Sequence, residues 1–334
     1  MPLVARAGRP HPRPVARKGE HPRSRASREA HLRAVRALAE GQGGVVSRRQ
    51  VYGLGLTRAE VTAHLRGGRR QRVHSQSLAV HTGSMTDSGL LWAAVFEAGD
   101  RGCLDGASSL IAAGLKHYSE ETVRVSVPRG VLVRRAQGLQ IRQTRRLKTA
   151  DVVPLGIPRT KNPIATIRAA LWARSDKQAA LLLTMSVQQR LTTPELLVKE
   201  LLRIKRDRRR ALIAAVITDL LDGVRSLGEH EFARLCRERG FPEPTRQVIR
   251  KGKDGRYYLD VVWEEWGVVV EIDGIQHAWA SNVVDDALRH NAVALGNAVV
   301  LRLPLLGLRV APDEFFEQIE EALVSRGCPV RLTS

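Results

Sequence analysis

Apolar and polar positions along the chain change rhythm three times. From Ser27 to Glu40 the apolar residues Ala30, Val35 and Leu38 recur at helical spacing, with Ser27 in the N-cap position. After Gly43-Gly44 a short helix is predicted over Ser47–Tyr52, closed by Gly53-Leu-Gly55. Thr57-Arg-Ala-Glu60 then has the capping-box form and opens a third helix to Arg66. Gly67-Gly68 ends that helix, and Arg69–His74 and Ser77–His81 read as two short strands around a polar turn.

The middle of the chain mixes both periods. Helices are predicted over Leu90–Ala98 and Ala107–Leu115, and Glu121–Pro128 alternates as a strand. Val131–Val133, Leu139–Arg142 and Asp151–Pro154 read as further short strands. From Pro163 the spacing is helical, over Ile164–Ala173, Ser175–Met185, Thr193–Leu202 and Arg208–Leu221. The last rhythm begins near Ser226. A helix over Glu229–Gly240, a strand over Gln247–Lys251 and a hairpin of Tyr257–Trp263 with Val268–Asp273 come first. A helix over Asn282–Gly296, a strand over Ala298–Leu303 and a helix over Ala311–Val324 follow. The whole reads as a mixed α/β chain. It divides into a basic, Pro-rich, disordered arm (1–26), a helical unit with a two-stranded wing (27–85), a middle α/β scaffold (88–224) and an α/β core (226–334).

Charge sharpens that division. Of 54 Lys and Arg and 34 Asp and Glu, the residues from Ser226 onward hold 13 and 17, which leaves 41 and 17 before them. A front this basic favours polyanions, of which nucleic acid is the usual one in the cytoplasm. No apolar run is long enough to span a membrane, and the Arg- and Pro-rich start lacks the apolar segment of a secretory signal. Three scattered cysteines, Cys103, Cys236 and Cys328, fit a reducing cytoplasm and exclude a Cys-x-x-Cys zinc site.

The hairpin gathers the chemistry. If Trp263 pairs with Val268, Asp260 lies opposite Glu271, and Asp273 shares their face because strand side chains repeat every second residue. An odd turn length would instead send Asp260 to the other face. Carboxylates facing one another among valines repel, and a hard divalent cation such as Mg²⁺ or Mn²⁺ relieves them.

Asp260, Glu271-Ile-Asp273, Gly274 and His277 together resemble the PD-(D/E)XK nuclease superfamily, in the branch around very-short-patch-repair endonucleases. The resemblance covers the helix, three strands, helix, strand and helix from Ser226 on. It implies a restriction-endonuclease-like core in which Asp260, Glu271 and the helix acid Glu229 hold Mg²⁺ (or Mn²⁺), and His277 is a general base or leaving-group helper. Asp273 stands where most of the superfamily has Lys. Glu231 is the alternative to Glu229, and a hydrogen-bonded structural histidine is the alternative for His277.

The front resembles the winged helix-turn-helix domain of abortive-infection-type antitoxins, with Gly53-Leu-Gly-Leu-Thr57 as the turn before the recognition helix, and the middle resembles the second domain of that family. The resemblance implies DNA as partner, with Arg58, His64 and Arg66 at base edges and Arg69, Arg70 and Arg72 on phosphates. It also admits a cognate toxin or other protein partner. Two functions follow as expectations: a metal-dependent DNA endonuclease, or a DNA-binding regulator or antitoxin whose nuclease fold is only a scaffold.

Overall fold

The structure, a computed structural model, describes residues 25–222, 228–251, 257–273, 284, 286–291 and 300–329. It is a mixed α/β molecule with three small sheets among the described residues. Of the arm expected over 1–26, residues 1–24 lie outside the described residues, as does His277, while Arg25 and Ala26 already belong to the first helix.

The front contains α1 (Arg25–Glu40), β1 (Val45–Ser47), α2 (Arg48–Gly53), α3 (Arg58–Arg66), β2 (Gln71–Arg72) and β3 (Ser77–Ala79). Ser47 and Thr57 each accept from the backbone N–H three residues on, while Gln50 and Glu60 reach back to their backbone N–H groups. These capping boxes fix where α2 and α3 begin. The three strands pair in the order β1-β3-β2. At three residues, β1 is too short to announce itself by alternation. Val35, Val46, Val51, Leu56, Val61 and Leu78 fill the core beneath.

Helix α4 (Asp87–Ala98) ties this unit to the next. Its Glu97, 2% exposed, accepts from Ser75 Oγ at 2.5 Å and Gln76 N at 2.8 Å, gripping the β2–β3 turn. Gly43 packs so closely on α4 that a Cβ there would sit 2.5 Å from Gly89 N, and its φ of +62° suits glycine.

The middle holds β4 (Cys103–Leu104), α5 (Ala107–Ala112), β5 (Val123–Pro128) and β6 (Leu139–Thr144), with β5 antiparallel to β4 and parallel to β6. Two expected strands are absent. Residues 131–133 have no regular structure, and 151–154 give a 3-10 turn (Thr149–Asp151) and one bridge between Val152 and Thr160. Pro154 brings no N–H for a ladder, which limits pairing there. Four helices follow: α6 (Asn162–Trp172), α7 (Asp176–Gln188), α8 (Pro194–Leu202) and α9 (Arg210–Asp222).

The last part runs α10 (Gly228–Glu238), β7 (Arg246–Lys251), β8 (Tyr257–Trp263), β9 (Val268–Asp273), a helical segment at 286–291, β10 (Val300–Pro304), α11 (Leu305–Val310) and α12 (Pro312–Ser325). Its sheet has the order β10-β9-β8-β7, with β10 parallel to β9 and the other pairs antiparallel. Leu259, Val261, Trp263, Val268, Val270, Ile272, Leu301 and Leu303 are buried, in one core with Phe232, Phe315 and Phe316. The same core continues without a break into Ala180, Leu183, Ile213 and Ile217 of α7 and α9. The boundary predicted near residue 225 is thus crossed by one apolar core. Helix α11, absent from the sequence reading, makes the junction: Arg309 binds Asp219 of α9 through two hydrogen bonds of 2.9 and 3.1 Å, and the Asp219 side chain is fully buried.

Arg309→Met leaves that carboxylate buried without its guanidinium. Denaturant unfolding should record a loss of about 3–5 kcal/mol, the cost typical of breaking a buried pair. A loss as small as the ~0–1 kcal/mol of a surface pair would refute this account of the junction.

Candidate functional site

Strand alternation gives the last sheet one apolar and one charged face. Along β9, Val268, Val270 and Ile272 are buried while Val269, Glu271 and Asp273 are half-buried. The register is Trp263↔Val268 and Asp260↔Glu271, and Glu271 in turn is paired with Arg302 on β10. Asp260, Glu271 and Arg302 therefore stand in one row across three strands and project from the charged face. The four-residue turn Glu264–Gly267 permits this register, with Gly267 at φ +63°. Asp260 is 6% exposed, whereas the Arg302 side chain is 66% exposed, with Nε 3.8 Å from Glu271 Oε2.

The edge strand β10 is held from outside. Asn291, 1% exposed, donates from Nδ2 to Arg302 O at 2.8 Å and accepts on Oδ1 from Arg302 N at 2.8 Å. Its amide does what a neighbouring strand would do for one residue, and so fixes the backbone from which the Arg302 guanidinium extends. Gln318 of α12 accepts from the same Nδ2 at 3.1 Å and donates to Leu288 O at 2.9 Å, bracing the helical segment. Above the row is an open cleft of about 450 Å³, lined by Tyr258, Glu271, Asp273, Asp286, His290 and Arg302 among others.

The expected ligand set is only partly assembled. Asp260 and Glu271 face each other, but Asp273 belongs to the next row, opposite Tyr258. Two residues along a strand span about 6.6 Å, so the third carboxylate stands off from the pair. Among the described residues, no three His, Cys, Asp or Glu side chains form a metal-binding group. Glu229 lies in the first turn of α10, and only its backbone placement is described. Asp286 forms an ion pair with Arg289, the i,i+3 pair its spacing suggests. His290, Tyr258 and Asn291 were missed in the sequence. The two first sit on a segment and a strand face whose cleft exists only after folding.

In the front, Arg58, Arg66, Arg69 and Arg72 are exposed, the first two at opposite ends of α3. Arg69 folds back to donate from Nη2 to Ala63 O at 3.5 Å. Arg70 corrects the expectation of a phosphate-tracking wing residue: it is 5% exposed, and its Nη1 lacks a hydrogen-bond partner. Its side chain packs inward, near Arg36 of α1, while Arg69 and Arg72 on either side of it stand out. Burial, and then Arg36 of α1, lowers its pKa. His64, half-buried, also has a lowered pKa, first from burial and then from Arg70 and Arg69. At neutral pH it is an uncharged imidazole and offers hydrogen bonds only.

No family model matches the chain, and no curated protein does. Among solved structures it is similar to the crystal structure of the RV2827C protein from Mycobacterium tuberculosis. Identity is 15%, with 69% of this chain and 90% of that one covered, at a TM-score of 0.36. At that score the likeness carries no argument about function.

Two substitutions test these placements. Asn291→Ala strips partners from the Arg302 N–H and C=O, and chemical denaturation should report about 1–3 kcal/mol of lost stability; an unchanged midpoint would mean the clamp is incidental. Arg70→Met exchanges a buried, incompletely paired guanidinium for an apolar chain of similar length. Its melting midpoint should hold or rise; a fall would mean that the guanidinium is needed where it lies.

Proposed function

We propose that the protein is a metal-dependent DNA endonuclease, with the carboxylate row of the last sheet as its catalytic centre and the basic front as its DNA-binding part. The observation that carries this reading is the facing of buried Asp260 and Glu271, with Glu271 and Arg302 lining an open cleft. The order of helix, antiparallel three-strand meander and parallel fourth strand supports a restriction-endonuclease-like core. Three helices with a short three-stranded sheet support a winged-helix front.

The residues fit a hard cation. A buried carboxylate set against a second carboxylate is an oxygen donor set that a divalent ion stabilises, and Mg²⁺ commonly takes only one or two protein carboxylates with water in its other positions. Asp260 and Glu271 would hold it, with Glu229 as a third candidate. Bound there, Mg²⁺ or Mn²⁺ supplies polarisation of the phosphoryl oxygen and a more acidic water. The protein's own groups do the rest. Arg302, planar and exposed, pairs with a phosphate oxygen in the scissile region and in doing so relaxes its hold on Glu271. Asn291 keeps that guanidinium aimed by holding its backbone. His290 lines the cleft and would hydrogen-bond the departing 3′ oxygen.

A second reading is a DNA-binding regulator or antitoxin that uses the nuclease-like fold as scaffold. It is favoured by the offset of Asp273, which stands opposite Tyr258 and not in the row of Asp260 and Glu271. Asp260→Asn separates the two, since it keeps the side chain's shape and removes its charge. Plasmid cleavage in Mg²⁺ should fall by more than the ~100-fold that loss of a mere supporting partner costs, with duplex affinity retained. Equal cleavage by variant and parent, or no binding of Mn²⁺ in calorimetry, would favour the regulator.

A further inference from the structure

We propose that the basic cleft of the middle region, between β6, residues 145–148 and helices α6 and α8, binds a nucleotide unit with an accessible base. This site is remote in sequence from the carboxylate row and does not rest on the nuclease reading. Its volume is about 600 Å³, within the range of small-molecule sites. Its rim carries Arg142, Arg145, Arg146 and Lys148, all exposed. Glu200, the one carboxylate among the described lining residues, is taken up by Arg203 at 2.7 Å. The rim is therefore left strongly cationic, and an anion is the ligand it suits.

The floor says which anion. Ile164, Ile167 and Leu171 make it apolar, and the Arg142 guanidinium lies 4.9 Å from the centroid of the Trp172 ring. A planar guanidinium above an indole is a stacking platform, which bare phosphate would not use but a base would. The site is also built rather than loose. Fully buried Asp105 accepts from Arg168 Nη1 at 2.6 Å, Ser126 Oγ at 2.6 Å, Thr160 Oγ1 at 3.0 Å and Gly106 N at 2.8 Å. Arg168, itself 9% exposed, donates from Nη2 to Arg146 O at 2.8 Å, so this buried network holds the rim segment in place. Phosphates on the rim and a base against the platform make one chemistry with two sources: a free nucleotide, or the unpaired end of a strand. Paired bases inside a duplex are stacked away from such a platform.

The test uses the full-length protein without divalent metal, and the exposed substitution Arg142→Lys, which keeps the charge and loses the plane. Affinities for dATP, for a ten-nucleotide single strand and for inorganic tripolyphosphate are measured by calorimetry. The expected result is an affinity for dATP or the single strand about tenfold weaker in the variant, the scale of one lost base stack, with tripolyphosphate unchanged. Weakening confined to dATP identifies a free nucleotide as the source, and weakening confined to the strand identifies a strand end. Equal change for all three probes, no change for any, or no binding of dATP or strand by the parent overturns the proposal.

Discussion

Everything about the last sheet depends on the two-residue alternation of β9. Its even positions, Val268, Val270 and Ile272, are sealed in the core, and that sealing dictates where Glu271 and Asp273 must go. A slip of one residue would drive both carboxylates into the apolar core and bring valines out, so the register has almost no freedom. The facing of Asp260 and Glu271 is then a consequence of core packing, obtained without any attraction between the two. Parallel pairing with β10 adds Arg302 to the row by the same logic. The core fixes the chemistry's geometry from behind.

Buried charge marks the joints elsewhere in the chain. Glu97 seizes the β2–β3 turn of the front, and Asp219 seizes Arg309 of α11. Buried carboxylates satisfied by several donors are costly to form and costly to break, so such contacts specify one arrangement more than they add stability. Asp105 does the same within the middle region. Three carboxylates, each at or near full burial, thus mark the places where one part of the chain is fitted to another.

Legibility followed local signal strength. The Thr57–Glu60 capping box, the α10 stripe and the β8–β9 hairpin could be read because each carries its own period or cap. Strand β1 and helix α11 could not, at three and six residues, since neither spans enough of a period. Val131–Val133 has the composition of a strand, yet it lacks a partner edge; composition alone cannot supply one. The pairing of Asp260 with Glu271 was legible through the turn length. Asp273's offset was a matter of distance along the strand, and His290, Asn291 and Tyr258 join the cleft only through the fold. Arg70 was misread because a run of arginines gives charge but not direction.

The distribution of charge bears on which of the two functional readings is the more economical. A polyanion is drawn to the front and middle, where basic residues outnumber acidic by 41 to 17, and is repelled by the last part, where acids prevail. A purely DNA-binding protein has no need to set Glu271, at an open cleft, opposite the buried Asp260. Like charges opposed across strands destabilise a sheet, and apolar residues of similar volume would serve a scaffold better. Under the proposed nuclease reading a cation would join the pair to a phosphate, and Arg302 in the same row would meet the other half of that need. The proposed nuclease reading gives the carboxylates and Arg302 a common use, a cation and a phosphate held side by side.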